Sequence, residues 1–362
     1  MSTQIDVLII GQGICGTFLS IELERAGLSY LVIDEVRPFA ASRVAAGLIN
    51  PVTGRRLVTT WMIDELLAFA EEAYGRLEGM LGSSFFERVS VTDFFPTAQM
   101  RLAFLKRLEE EAGRGYLQLP VDEQRWGTYF HYELGYGVIS PCYLVDMPGL
   151  LAAARKRMLE QGVLREERFE KGELDVAGGV RYGDIHARRV VFCDGIESFA
   201  NPYFSRLPFA PNKGEVLIVD IPGLAEGFEG AGERTIFKKG ISLAPWQDGL
   251  YWVGSSYEWS FETGEPTEGF RKKTEAALRE WVKLPFRVMD HVAAVRPATL
   301  ERRPFVGFHP LYPAVGILNG MGTKGCSLAP YFARQLVDFL TMGRPVQADA
   351  DILRFTKVLS RL

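Results

Sequence analysis

The 362-residue chain has only four cysteines, Cys15, Cys142, Cys193 and Cys326, and no two are close enough in sequence to make a C-x-x-C pair. There is no disulfide framework to read, and a reduced, cytoplasmic protein is expected. Histidine is as scarce: His131, His186, His291 and His309 are scattered, without metal-ligand spacing. H-E-x-x-H, the P-loop and G-x-S-x-G are all missing, so metalloprotease, Walker-type and serine-hydrolase chemistry have no support. No apolar run reaches the roughly 18 residues of a membrane-spanning helix. The opening MSTQIDVLIIG lacks the basic region of a signal peptide. A dominant charge is missing too. The 41 Lys and Arg against 45 Asp and Glu leave a net charge of −4, so nucleic acid is not the default partner.

What is present is globular. The chain is 47% hydrophobic, 24% charged and 12% aromatic, which suits a large core and argues against disorder. At roughly 100–200 residues per domain the length corresponds to two domains, or one with an insertion. Residues 5–10 are apolar apart from Asp6, the pattern of a buried parallel strand, followed by a glycine-rich turn at 11–16. A helix then runs to about Ala26 with Gly27 as its C-cap, and Tyr30–Ile33 is a second buried strand.

Beyond Pro51, Met62, Leu66, Ala70, Ala73 and Leu77 share one helical face, and a second helix is expected over 97–112. The aromatic stretches SFFERVSVTDFF and TYFHYELGYG read as antiparallel strands. Residues 144–161 read as helix, and 189–193 as a strand leading to Asp194-Gly195 and back into the first domain. Residues 215–220 and 250–255 read as further strands, and 267–282 as a charged amphipathic helix. Residues 314–318 read as a strand, and NGMGTKG then opens a helix over 327–340. The expected fold is a Rossmann-like, doubly wound α/β nucleotide-binding domain from 1–60, 143–205 and 294–362. An α+β antiparallel-sheet substrate domain from 61–142 and 206–293 is interleaved with it.

The motif Gly11-Gln12-Gly13-Ile14-Cys15-Gly16 lies between a strand and a helix. Its glycines serve a tight turn, close backbone approach to a pyrophosphate, and helix–strand packing, and the helix N-terminus attracts an anion. Asp34 ends the next strand about 20 residues on, where an acid bonds a ribose hydroxyl, and is preferred over Glu35 for that role. This signature alone does not choose between FAD and a nicotinamide. Residues 41–48 (ASRVAAGL) would let backbone approach a flat ring. The turn at 319–325 would aim a second helix N-terminus at a reduced flavin.

With these motifs the chain resembles the glycine oxidase, sarcosine oxidase and D-amino acid oxidase superfamily of FAD enzymes. The resemblance rests on GQGICG with Asp34, SRVAAGL, Lys213-Gly214-Glu215, GLYWVGSSYE, Arg296-Pro297 followed by PFVG, and GMGTKGCSLAP. It covers nearly the whole chain. SSYE and the last motif also look like the FAD module of the bifunctional enzyme that modifies wobble uridine in tRNA. The resemblance implies non-covalent FAD. It puts the ADP part on Gly11, Gly13, Ile14, Cys15, Gly16, Asp34 and Glu35, with Phe169, in the strand after Gly162, near the adenine. The pyrophosphate and ring would lie near Ser42, Arg43, Ala46, Gly47 and Leu48, and the ring end at Met321, Gly322, Thr323, Lys324, Gly325, Cys326 and Ser327, with Gly195 a further cofactor-binding residue.

Arg296 corresponds to the family's bidentate anchor for a substrate carboxylate, a task suited to guanidinium geometry. Lys324 would either face the flavin, to stabilise negative charge there or take a second carboxylate, or be an exposed turn lysine. Thr323 stands where glycine oxidase-like members carry a second Arg. No Lys occurs at 250–253, where several oxidases keep one for oxygen chemistry. Tyr251, Trp252, Tyr257 and Trp259 are candidates for an aromatic wall or for core. Arg55 and Arg56 are either ligands of an anionic substrate or solvated turn residues, the second being preferred, and Cys15 and Cys326 read as packing residues. The implied function is FAD-dependent oxidation of the C–N bond of a small amine or amino acid by hydride transfer to flavin N5, with oxygen or another electron acceptor. A tRNA wobble-uridine modification enzyme and a flavin-binding subunit without its own activity remain alternatives.

Overall fold

A strand that is apolar on both faces has to be covered on both. In the computed structural model, which describes residues 3–54, 56–110, 115–228 and 234–361, β1 (Thr3–Ile10) sends Val7 and Ile9 into one core and Leu8 and Ile10 into another. α1 (Ile14–Arg25) and β2 (Tyr30–Ile33) complete the opening unit. Then follow α2 (Ala41–Val44), β3 (Leu48–Ile49), a hairpin of β4 (Val52–Thr53) and β5 (Val58–Thr59), and α3 (Ile63–Leu81). β6 (Phe86–Phe94), α4 (Ala98–Glu110), β7 (Leu117–Gln118), β8 (Tyr136–Val145) and α5 (Met147–Glu160) come next. β9 (Leu164–Arg165), β10 (Leu174–Asp175), β11 (Val180–Tyr182) and β12 (Ile185–Phe192) precede β13 (Asn212–Asp220), β14 (Thr235–Lys239), β15 (Ile241–Pro245) and β16 (Tyr251–Gly254). The chain closes with α6 (Glu268–Trp281), β17 (Arg287–Arg296), β18 (Phe305–Phe308), β19 (Val315–Asn319), α7 (Gly325–Met342) and α8 (Thr356–Leu359).

The first sheet has the order β10-β11-β12-β1-β2-β9, with β19 also paired to β12 and β18 to β19. Its centre is parallel and its rims, β10-β11 and β18, are antiparallel. The second sheet runs β17-β13-β16-β15-β14-β6-β8-β3, and among its described pairings only β14–β6 is parallel. This is the expected α/β sheet with a second, largely antiparallel one.

Phe18, Leu66, Leu150 and Phe332 on α1, α3, α5 and α7 join Val191 of the first sheet and Trp252 of the second in one continuous core. On the outer face of the second sheet, α6 buries Leu278 and Trp281 against Phe94, Phe237 and Val253. Each such side chain removed from water contributes about 1.5–3 kcal/mol. α6 starts at Thr267, whose Oγ1 accepts from the Phe270 N–H at 3.3 Å. In α7, Pro330 has no N–H for the Cys326 carbonyl, and the Tyr74 hydroxyl donates to it instead, at 2.9 Å. No described helix is long and apolar enough to cross a membrane.

Three local expectations change. Residues 144 and 145 belong to β8, and the helix begins only at Met147, because Asp146 accepts from the Gly149 N–H and caps it. In TYFHYELGYG only the last two residues are strand, and Phe130 and Tyr136 fill the core beneath α6. Phe169 lies in the loop after β9, its ring stacked on Tyr182 at 5.0 Å.

Candidate active site

Both glycine turns open on one cavity of about 930 Å³ between the two sheets. Gly11, Gly13, Ile14, Cys15, Asp34 and Glu35 line it, as do Ser42, Arg43, Ala46, Gly47 and Leu48. So do Phe169, Gly195, Arg296 and the whole of 321–327. Gly16 does not. A Cβ there would lie 1.9 Å from the Gly11 carbonyl oxygen, so Gly16 serves helix–strand packing alone.

The glycines divide by cause. Gly11 (φ +100°) and Gly47 (φ +83°) are required by the protein's own backbone, since a Cβ would come within 2.6 Å of the Cys193 oxygen and 1.9 Å of the Val145 oxygen. Gly13 is different. Its Cβ would meet only the Ser42 side chain, at 3.2 Å or more, and otherwise project into the cavity. Gly13 caps α1 without a side chain, and no acid occupies the first turn of α1 or of α7. Two bare helix N-termini facing one cavity fit an anionic, flat-ringed dinucleotide.

Around the first turn the polar groups are already paired. Asp34 accepts from the Gln12 N–H at 2.8 Å and from Arg155 at 2.7 Å. Arg155 also donates to Glu166 at 2.8 Å and to the Asp34 carbonyl at 3.2 Å. Glu35 binds Arg37, which also reaches Glu197 at 2.7 Å. Burial pushes the Asp194 carboxyl up to about 6, and the Ser198 hydroxyl donates to it.

The opposite wall is the inner face of the second sheet. Alternation aims Gly214 at the cavity and sends Lys213 and Glu215 to the other side. There Glu215 accepts from Lys213 at 3.0 Å, from Thr267 and from His291, tying α6 to β13 and β17. A Cβ on Gly214 would lie 1.9 Å from the Arg296 guanidinium, so this glycine lets Arg296 lie across the strand. Arg296 donates to Asn212 at 2.6 Å and to Ser255 at 2.7 Å, and its guanidinium lies 5.8 Å from the Tyr257 ring centroid. Among the described residues no carboxylate pairs with it, and burial lowers its pKa.

Lys324 donates to Thr60 at 3.1 Å and also has no described carboxylate partner. Burial, with the Arg302 charge as a lesser cause, lowers its pKa to about 8. It is therefore a partly desolvated cavity cation rather than an exposed turn lysine.

Of the four aromatic candidates only Trp252 lines the cavity, with its indole N–H donated to the Val44 carbonyl at 2.9 Å. Tyr251 belongs to the outer core, and Tyr257 and Trp259 stack edge-to-face on each other, half-exposed. Arg56 is exposed and outside the lining, and Arg55 lies outside the described residues. Burial pushes the Cys15 and Cys326 thiols up to about 12, which suits packing residues and not nucleophiles. Sequence reasoning missed Gln12, Thr60, Asn212, Ser255, the brace Arg155, and Lys238, a cavity-lining cation bound to Asp93 at 2.7 Å.

Comparison with known proteins agrees with this geometry. The family model for FAD-dependent oxidoreductases (DAO) matches residues 6–339. Glycine oxidase of Pseudomonas aeruginosa is 23% identical, aligned over 94% of this chain and 96% of its own. Glycine oxidase of Bacillus licheniformis is 26% identical over 96% of each. Among solved structures, glycine oxidase from Geobacillus kaustophilus superposes with a TM-score of 0.77 at 18% identity, covering 100% of both chains. Iminodiacetate oxidase from Chelativorans sp. BNC1 gives 0.73 at 22% identity, covering 94% and 96%. These two structures show the shared fold. With a turn, an acid and a cavity that fit the dinucleotide, and a family match across nearly its whole length, the chain belongs to the DAO family of FAD-dependent oxidoreductases, and FAD is its cofactor.

Proposed function

We propose that the protein oxidises the C–N bond of a small amine bearing a carboxylate, whether glycine-like, N-alkylated or a D-amino acid. The observation that carries this reading is the presence of two part-buried cations, Arg296 and Lys324, on one cavity with no described carboxylate partner. Such groups are costly unless an anion arrives to pair with them. The names of the glycine oxidase and iminodiacetate oxidase relatives support the same substrate class.

In this reading Gly13 and the start of α1 hold the pyrophosphate of non-covalent FAD. Asp34 accepts from the ribose through its remaining lone pairs, and residues 321–327 surround the ring end. FAD, when bound, supplies the two-electron acceptor for a hydride leaving the carbon next to nitrogen, and water hydrolyses the resulting imine. Arg296 fixes the carboxylate by a bidentate contact, which sets the face the α-carbon presents and favours one enantiomer. Thr323, in place of a second Arg, leaves room for an N-substituent.

The test is anaerobic mixing with glycine, N-methylglycine, both prolines, and D- and L-amino acids, following loss of flavin absorbance. Bleaching by the carboxylate-bearing amines supports the reading. Bleaching only by an RNA carrying carboxymethylaminomethyl-uridine would replace it with RNA modification, and bleaching by none with a binding subunit.

A further inference from the structure

Arg296 and Lys238 line the same cavity from opposite sides of one sheet. In the order β17-β13-β16-β15-β14 they are four strand spacings apart, about 19 Å at the backbone. One row of the floor between them is small, with Val216, Ala244 and Trp252 lining the cavity beside it. Gly254 pairs in register with Ser242, and Ser242 with Lys238, all three lining the cavity. Val216 pairs in register with Gly254, and Gly214, two residues earlier on β13, lies under the Arg296 guanidinium. The cavity, which also takes FAD, thus runs along this row from the Arg296 strand to the Lys238 strand.

Lys238 closes this row. Its ammonium donates one bond to Asp93 Oδ2 at 2.7 Å, with the lysine side chain 26% exposed and that of Asp93 only 4% exposed. An ammonium has three donors, so two remain for the cavity. The other Asp93 oxygen is buried without a partner. A buried ion pair is a weak stabiliser, since apolar residues of like volume serve a fold as well. An open donor set at the end of a row of small residues is better explained by a ligand.

We infer that Lys238, positioned by Asp93, is a specificity residue that takes an acceptor at the far end of the substrate. The substrate is then a secondary amine with two unequal arms. The short arm carries the carboxylate bound by Arg296, and the longer arm crosses the Gly254–Ser242 floor to end in a carboxylate at Lys238. This rests on the proposed amine-oxidising reading and deepens it.

The test uses FAD-loaded enzyme and thioether analogues, in which sulfur replaces nitrogen and no C–N oxidation can occur, with dissociation constants read from the flavin absorbance change. The ligands are (methylthio)acetate, (pentylthio)acetate and (4-carboxybutylthio)acetate. The wild type should bind the last at least about tenfold more tightly than the pentyl compound, the effect of one charge-assisted bond. K238M should erase that gain and leave (methylthio)acetate unchanged, while K238R, which keeps the donors, should retain part of it. Melting temperatures identify a variant that has failed to fold, and K238R then carries the comparison. Equal binding of the two long compounds to the wild type, or a gain that survives in K238M, overturns this inference and leaves the carboxylate anchor standing. Failure of all three compounds to bind overturns both readings.

Discussion

The two ends of the cavity are built on opposite principles. At the GQGICG end the carboxylates have their partners inside the protein: Asp34 has Gln12 and Arg155, and Glu35 has Arg37, while Arg43 reaches only the Gln12 amide oxygen. At the sheet end Lys238 is paired with Asp93, but Arg296 and Lys324 have only neutral partners, Asn212, Ser255 and Thr60. A satisfied network is rigid and pre-shaped, as suits a resident cofactor. Unpaired cations keep their attraction for an anion that comes and goes. In the proposed reading the first end holds the cofactor and the second captures the substrate.

The glycines offer the largest break in that contrast. Gly47→Val drives a side chain into the Val145 carbonyl at positive φ, and the variant should fail to fold, read as loss of cooperative melting. Gly13→Val meets little protein, so it should stay folded in circular dichroism yet lose FAD, with affinity down by roughly a hundredfold or more as the side chain enters the cavity. If Gly13→Val purified yellow, the cofactor end would be misplaced.

Arg296→Met comes next. Losing a bidentate, charge-assisted contact costs about 1.5–3 kcal/mol, so carboxylate substrates should bind ten- to a hundredfold more weakly while FAD is retained. Unchanged KM with a lowered melting temperature would make Arg296 a structural residue. Arg155→Met tests the paired end. It strips Asp34 and Glu166 of a buried partner and should cost about 1–3 kcal/mol in denaturant unfolding, with weaker FAD binding and unchanged substrate preference. A shift in substrate preference would show that the two ends are not separate.

The smallest effect is a pH dependence. Lys324 carries its charge below about 8 and loses it above. Affinity for a carboxylate substrate should therefore fall several-fold as pH rises past about 8, and Lys324→Arg, which stays charged, should flatten the profile. A KM profile unchanged by Lys324→Arg would exclude Lys324 from substrate binding.

The cofactor turn was legible in the sequence because its requirements are local: a two-faced apolar strand, glycines within six residues, and an acid at the end of the next strand. The antiparallel sheet was legible from its aromatic, turn-bounded stretches, but not which side chains face the cavity: Trp252 lines it and Tyr251 packs in the outer core. What could not be read was pairing across distance. Arg155 meets Asp34 over 121 residues, Lys238 meets Asp93 over 145, and Lys324 meets Thr60 over 264. No local pattern marks a lysine whose partner is set by strand order. The helix expected from residue 144 started late for a related reason, because cross-strand pairing of Leu144 and Val145 overrides an apolar run that suits either state.

The most direct test of the account is whether the substrate end reads a carboxylate. Anaerobic reduction of the bound flavin by N-methylglycine should be compared with reduction by N-methylglycinamide, in which a neutral amide replaces the carboxylate, in the wild type and in Arg296→Met. The account predicts that the wild type favours the carboxylate by about tenfold or more in the apparent second-order rate constant, and that Arg296→Met abolishes the preference. Equal reduction of wild-type flavin by the two compounds would contradict it.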